Sequence, residues 1–562
     1  MCSVFLKIKN HIKKEITLTF SNFKAEKTQV VSNFTVDVPE KNAYGNFTTN
    51  AAMIWAKVIH MPSKEIAKKI TKSLNLKLNK NYIRECKIAG PGFINFYLSQ
   101  NFYSEVLKKI LKEKENYGRS NFGLRKKVIV EFVSANPTGP MHLGNARCGT
   151  LGDCLASIMD FVGFDVKREF YVNDAGNQIE KFADSLEARY LQHFLGKKIK
   201  FPENGYQGQD INKLAVKFAQ FHGDKFLNIH KEKRRKALVT YALPKNIKKM
   251  KADLLKYKIS YDKWFFESEL YKKKKIKTTL DELKKKKITY EKDGVIWARA
   301  KKINCDKDKV LVRKNGMPTY FAADIAYHRD KFLRGFSVCI DVWGADHHGH
   351  VAKIKGAMNA LGFKKQKLEV LLVQLVKLVK DKKIVKMSKR AGKTIGLIDL
   401  LKEVKIDEAR FTFNLVRANI QMDFDLELVS KKSSENPVYY VQYAHARAFS
   451  ILKKSKLDFN EIKKTDNNIL EFLKEPIEQD LILLLSCLAD ELIIASKNCD
   501  PTSVTKYVLK IANLFHKFYN SCQVVNIENK KLSKARLCLC MATKVVIKNI
   551  LDLFKVTAPE NM

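Results

Sequence analysis

Glu131 to Thr150 reads EFVSANPTGPMHLGNARCGT; it follows the apolar β-branched run Val128–Val130 and leads into LGDCLASIMDFVGF. The first run has the character of a buried strand, and the last has apolar residues at helical spacing, so the stretch reads as strand, loop and helix. Small residues Ser134, Ala135, Gly139, Gly144 and Gly149 allow backbone to approach a ligand closely, while Pro137 and Pro140 stiffen the loop. A helix N-terminus facing the carboxyl edge of a parallel sheet is a ready-made phosphate site, and His142 at that position can donate to a phosphate oxygen. A single loop histidine is more often structural; the strand-loop-helix context favours the ligand. Glu131 interrupts a strand that is otherwise apolar, which is costly unless the carboxylate is paired. Its partner is either a substrate ammonium or an internal cation such as Arg147 or Arg168.

Outward from this stretch, VIVEFV, KREFYV, FSVCIDVWG and LEVLLVQLV alternate with amphipathic helical patterns. Such alternation predicts a parallel sheet with helices on both faces, an α/β core of Rossmann type, over 119–370. A Lys-rich segment at about 177–292, typified by KNIKKMKADLLKYK, is expected as a helical insertion. Residues 1–118 mix helical stretches with AGPGFINFYLS, a strand entered through a Gly-Pro-Gly turn, and form an α+β module. Residues 371–435 connect to 436–562, where strand signals stop. There NPVYYVQYAHARAFSILKK and the segments after it carry apolar residues three and four apart, implying an all-α bundle.

The chain has 104 Lys and Arg against 59 Asp and Glu, a net charge of +45. That excess attracts a polyanion, nucleic acid above all, but it fits a lysine-rich bias on solvated helix faces equally well. A hydrophobic content of 45% excludes a disordered chain. Eleven cysteines with no CxxC pair point to thiols in a reducing compartment, not to disulfides or zinc. The charged N-terminus has no signal-peptide core, and the most apolar run, LILLLSCLADELIIAS, is broken by Asp490 and Glu491. A soluble cytoplasmic protein without a membrane partner is expected.

A second signal, IVKMSKRAGKTIGL at 384–397, clusters Lys386, Lys389, Arg390 and Lys393 in a Gly-containing loop. Cations on such a loop can neutralise charge developing on a transferring phosphoryl group. Alone, a basic loop is usually solvated surface; paired with an HxG helix start it is far more specific. Tyr320 and Asp324 are four apart and share a helix face, where Asp324 on its own would read as a surface acid paired with Arg329 or Lys331.

PMHLGN and KMSK resemble the HIGH and KMSKS signatures of class I aminoacyl-tRNA synthetases. Around them EFVSANPTGPMHLGNAR, EFYVNDAGNQIEKF, GMPTYFAADIAYHRDKF, WGADHHGHVAKIKGAMNALGF, NPVYYVQYAHAR and the terminal VTAPENM look like arginyl-tRNA synthetase of the bacterial type, over nearly the whole chain. One departure is Asn145 at the fourth position of HIGH; an amide can donate a hydrogen bond but cannot carry charge. The resemblance implies that arginine and ATP, the latter with Mg²⁺, give arginyl-adenylate, and that the acyl group passes to the 3′ adenosine of tRNA. No tightly bound cofactor and no protein metal site are implied, activation generally needs tRNA, and a monomer is expected.

By the same resemblance, His142, Asn145, Lys386 and Lys389 are catalytic, and Pro140, Gly144, Asp346, His347, Met387 and Ser388 join His142, Asn145 and Lys389 around ATP. Glu131 and Asn136 hold the ammonium end of arginine, with Tyr320, Asp324 and Glu267 on the guanidinium. Phe93 and Asn95 contact the tRNA elbow; Tyr440, Gln442, Tyr443, Arg447 and Met562 face the anticodon. Two rival readings are a nucleotidyltransferase acting on a small molecule, which has no need of the bundle, and a silent RNA-binding relative, which would have lost the loop chemistry.

Overall fold

The computed structural model describes residues 4–20, 33–39, 45–78, 80–385, 396–455 and 467–562. The N-terminal module carries a four-stranded antiparallel sheet of β1 (Val36–Asp37), β2 (Phe47–Thr49), β3 (Ile83–Ala89) and β4 (Phe93–Leu98), in the order β1-β2-β4-β3. Helices Val4–Phe20, Ala51–Ile59, Ser63–Lys77 and Gln100–Glu113 accompany it.

The middle of the chain forms the expected parallel sheet. Its strands are β5 (Lys127–Glu131), β6 (Asp165–Val172) and β7 (Lys263–Phe266), followed, after the small antiparallel sheet of β8 (Thr289–Lys292), β9 (Val295–Ala298) and β10 (Lys309–Val312), by β11 (Val338–Gly344) and β12 (Lys367–Val373). The order is β12-β11-β5-β6-β7, every pair parallel. Val128, Ile129 and Val130 of the central strand are fully buried, because strands covered on both faces have no polar side to show.

The stretch 177–292 departs from a purely helical insertion. Helices Asn177–Leu195, Gln209–His222 and Lys231–Lys256 do build a small core around Phe182, Tyr190 and Phe218, but the chain then rejoins the main sheet as β7 and opens the β8-β9-β10 sheet. Four residues, KWFF, are too few to establish a strand period.

Strands β13 (Val376–Lys380), β14 (Lys383–Ile384) and β15 (Met422–Asp425) make a connecting sheet. Beyond it the helices Pro437–Lys454, Pro476–Ser486, Leu488–Asn498, Thr502–Ser521 and Lys530–Leu553 form the bundle. The bundle and the N-terminal module share one hydrophobic core. Gln100 donates to the Leu473 carbonyl at 2.9 Å, and Asn549 donates to the Lys114 carbonyl at 2.8 Å, so the two ends of the chain are packed together.

Candidate active site

At the end of β5 the backbone turns through Val133 and Ser134, both at positive φ (70° and 38°). For a β-branched residue this is a strained conformation, of the kind that persists where surrounding structure imposes it. The turn aims Ser134 Oγ at Glu131 Oε1 (2.8 Å) while the same hydroxyl accepts the Tyr171 N–H at 3.1 Å. His142 then caps the helix Leu143–Phe161 with extended backbone. Asn145 reaches back, its Oδ1 accepting the His142 N–H at 2.9 Å, which is the reciprocal half of a capping box. The amide at the fourth position therefore has a local task in closing the helix start, apart from any charge that position carries in the family signature. A Cβ at Gly144 would lie 3.1 Å from the His142 ring, so glycine lets the imidazole fold over the first turn.

Lys386, Met387, Ser388 and Lys389 lie outside the described residues. On either side of them the chain is fixed: the Val385 N–H donates to the Leu378 carbonyl at 2.9 Å, and Gly396 bridges His142 while the Leu397 N–H donates to the Met141 carbonyl at 2.8 Å. Val385 thus sits on the connecting sheet and Gly396 beside the helix start. Asn136 and Pro140 are exposed on the loop, and Asp346 and His347 are exposed on the turn after β11, 3.6 Å apart.

A second group of side chains converges on a pair of acids. Glu267, directly after β7, is 2% exposed, and its Oε1 has no partner among the described residues. Burial pushes its carboxyl up to about 7; the Tyr171 hydroxyl opposes the rise, and Asp324 and Asp174 add to it. Asp324 is on the helix Tyr320–Leu333 and is bound by neither Arg329 nor Lys331; its Oδ2 meets His350 Nε2 at 2.8 Å. Tyr320, at the start of that helix, accepts the Asn177 N–H at 2.8 Å. Two carboxylates with two tyrosine hydroxyls nearby are a set of acceptors suited to a planar, multiply donating cation.

Glu131 has an internal partner, but a different one from those its sequence neighbourhood suggested. Arg147 donates instead to the carbonyls of Gln374, Val416 and Arg417 (2.9, 3.2 and 2.8 Å), and Arg168 pairs with Asp153 at 3.0 Å. The partner is Lys331, whose Nζ lies 2.6 Å from Glu131 Oε2 and 2.6 Å from Asp341 Oδ1. Sheet register explains the arrangement: Asp341 on β11, Glu131 on β5 and Glu169 on β6 stand side by side, so three acids project from one face. The helix Tyr320–Leu333 and the residue after it answer this row. His328 binds Asp341 at 2.8 Å, Lys331 binds two acids, and Arg334 forks onto Glu169 at 2.6 and 2.8 Å, with the Tyr327 hydroxyl donating to Glu169 at 2.8 Å. Burial pushes the Glu131 carboxyl up against the pull of Lys331. Burial acts likewise on Asp341, yet Lys331 and His328 hold it well below the usual carboxylate range. Sequence reading gave His328 and Arg334 no role and offered Lys331 only as a partner for Asp324, although their three-residue spacing marks a cationic helix stripe, and Glu131, Glu169 and Asp341 each interrupt an apolar strand.

On the bundle, Arg447 donates to the Tyr443 hydroxyl at 2.7 Å, and its guanidinium lies 4.5 Å from the Tyr443 ring and 4.6 Å from that of Tyr519. Tyr440 joins through His516, ring centroids 4.7 Å apart. Gln442 points elsewhere, donating to the Thr557 carbonyl at 2.9 Å, and Met562 is exposed at the chain end. In the N-terminal module Phe93 is half-buried, whereas Asn95 is only 4% exposed and accepts from Thr48 at 2.8 Å. Asn95 shares the sheet face of Phe93, opposite the core residues Ile94 and Phe96, and is covered there by side chains of the flanking strands such as Thr48.

Comparison with known proteins assigns the ancestry. Residues 106–423 match the family described as tRNA synthetases class I (R), catalytic domain; residues 6–98 match the arginyl tRNA synthetase N terminal domain, and residues 441–562 the DALR anticodon binding domain. An arginine–tRNA ligase from Caldanaerobacter subterraneus is 50% identical over 560 residues, covering 100% of this chain and 98% of that protein. The chain belongs to the arginyl-tRNA synthetase family. A second relative, the arginine–tRNA ligase of Acetivibrio thermocellus, is 47% identical and covers 98% of this chain and 99% of its own length. The arginyl-tRNA synthetase structure from Thermus thermophilus, 20% identical, shares the fold with a TM-score of 0.75 over 99% of this chain and 100% of that one.

Proposed function

We propose that the chain is an arginine–tRNA ligase that works in two steps. The carboxylate of arginine attacks the α-phosphorus of ATP and expels pyrophosphate; a ribose hydroxyl of the tRNA 3′ adenosine then attacks the acyl carbon and expels AMP. The observation that carries this reading is the acidic pair Glu267 and Asp324, one of them with a buried carboxylate oxygen that has no partner among the described residues. A guanidinium supplies the missing donors.

His142, the Asn145 Nδ2 and the first-turn N–H groups face the ATP phosphates, with Pro140 and Gly144 lining the approach and Asp346 and His347 near the ribose. Lys386 and Lys389, with Met387 and Ser388, act on the pyrophosphate as its charge grows. Mg²⁺ arrives with ATP as part of the substrate. Asn136 and Glu131 take the ammonium end; a carboxylate oxygen that already accepts one hydrogen bond has lone-pair capacity for another. No covalent enzyme intermediate is needed, so positioning and electrostatic stabilisation provide the catalysis.

The tRNA spans the chain from Phe93 to the cluster of Tyr440, Tyr443 and Arg447, with Gln442 and Met562 alongside; Asn95 shapes the Phe93 surface from within. The division at 118, 370 and 435 follows this use of the chain. A cytoplasmic monomer fits these substrates, and no helix among the described residues is long and apolar enough to cross a membrane. ATP–pyrophosphate exchange with each of the twenty amino acids, with and without tRNA, tests the proposal. Exchange only with arginine supports it, exchange with another amino acid reassigns the pocket, and no exchange under any condition favours a silent RNA-binding relative.

A further inference from the structure

We infer that Lys331, Asp341 and His328 are positioning residues that fix the distance between the two ends of the arginine site and so set discrimination by side-chain length. The inference rests on the placement of arginine between Glu131 and the Glu267–Asp324 pair.

Glu131 stands on β5 and Asp324 on the helix Tyr320–Leu333, far apart in sequence and on different layers. A continuous buried chain of hydrogen bonds joins them. Glu131 Oε2 accepts from Lys331 Nζ at 2.6 Å, and the same ammonium donates to Asp341 Oδ1 at 2.6 Å. Asp341 Oδ2 meets His328 Nε2 at 2.8 Å, and His328 Nδ1 meets the main-chain carbonyl of Asp324 at 2.7 Å. Lys331 and Asp341 are fully buried and His328 nearly so, which leaves water no means of substituting for a lost partner.

Two bolts on one helix, at 328 and 331, resist both rotation about its axis and sliding along it. A slide by one residue moves Asp324 about 1.5 Å, comparable with the reach one methylene adds to a substrate side chain. A buried ionic cluster is a weak source of stability, because well-packed apolar groups often do as well or better. Its use here is geometric: the acid at the ammonium end and the acid at the guanidinium end belong to one rigid unit. Arg334, directly after the helix, forks onto Glu169 on the same face but contacts neither Glu131, Asp341 nor Asp324, and so provides a control for loss of an ion pair outside the hydrogen-bonded path.

The test uses the full-length enzyme with tRNA and compares kcat/KM for arginine, for homoarginine and for the analogue one methylene shorter. Lys331→Met and His328→Gln are expected to lower the preference for arginine over both analogues by about tenfold or more, through the arginine KM, since one methylene in a fitted pocket is worth at least that factor. The ATP KM stays within about twofold of wild type, because a loss confined to one substrate's site leaves the other's binding unchanged. Arg334→Lys, which loses the fork, retains the preference. Should Lys331→Met fail to fold, His328→Gln keeps a donor and much of the volume and carries the same expectation. Unchanged preference in a folded variant, or an equal loss in Arg334→Lys, overturns the inference. Glu267→Gln and Asp324→Asn report separately: if neither impairs arginine use, the pocket assignment itself fails.

Discussion

Glu267 carries the sharpest pH signature at the level of single residues. Its carboxyl is raised from 4.5 to about 7, first by burial and then by Asp324 and Asp174. A guanidinium binds the ionised form, so kcat/KM for arginine should climb with pH and level off above about 7, the value held by the free enzyme. The sign for stability is the reverse. With its folded pKa above the unfolded one, the group's contribution to the unliganded protein is complete below the usual carboxylate range and is lost as pH rises through about 7. Saturating arginine supplies the counter-charge, so the arginine-induced rise in thermal midpoint should grow across the same window. Glu267→Gln should abolish both trends; a variant that keeps the midpoint trend would assign it to another group. None of this was visible in YDKWFFESELY, where nothing distinguishes Glu267 from Glu269. Family resemblance named it, and only the fold shows one of them buried.

Among elements, the helix Leu143–Phe161 and the strand before it were legible from local pattern, since an apolar β-branched run and a helical period can each be recognised within a dozen residues. What held them in place was not, because register between β5, β6 and β11 links positions as much as two hundred residues apart, and with it the row Asp341, Glu131 and Glu169. Asn145 is intermediate: its capping role follows from sitting three residues after His142, yet the HIGH comparison drew notice to its missing charge instead. The two roles separate by mutation. Asn145→Asp keeps the acceptor for the His142 N–H but removes the amide donor and adds negative charge where the proposal puts the ATP phosphates, so thermal stability should hold while the activation rate falls. Asn145→Ala removes the cap as well and should cost about 1 kcal/mol of stability in addition. Equal stability for Asp and Ala variants would show that the cap contributes little here.

Over the whole molecule, the middle of the helix Leu143–Phe161 and the end of the chain are tied through one buried acid. Asp153 receives Arg168 at 3.0 Å, Arg410 at 2.6 Å and Lys555 at 2.8 Å. Removing its charge leaves cations without their anion, and Asp153→Asn should cost about 3–5 kcal/mol, read as a lowered unfolding midpoint. The tail beyond Lys555 continues this attachment in steps. The Thr557 N–H donates to Asp407 at 3.0 Å, the Pro559 carbonyl accepts from His445 at 2.8 Å, and Glu560 lies 4.0 Å from Lys544. From the sequence alone a polar tail of this kind is normally frayed; here the anchors hold through Pro559, and Glu560 to Met562 are the exposed end. On the proposed reading, stability rests mainly on the attachment up to Thr557 and tRNA contact on the residues after Ala558. Deleting Pro559–Met562 removes the His445 contact and the exposed Met562 but spares the Lys555 and Thr557 anchors, so the unfolding midpoint and the arginine KM should stay close to wild type while the tRNA KM rises. Aminoacylation across a range of tRNA concentrations decides the matter: an unchanged tRNA KM would make the last four residues a passive end, whereas a rise accompanied by a lowered midpoint would mean that the tail acts through the bundle's packing instead of through the RNA.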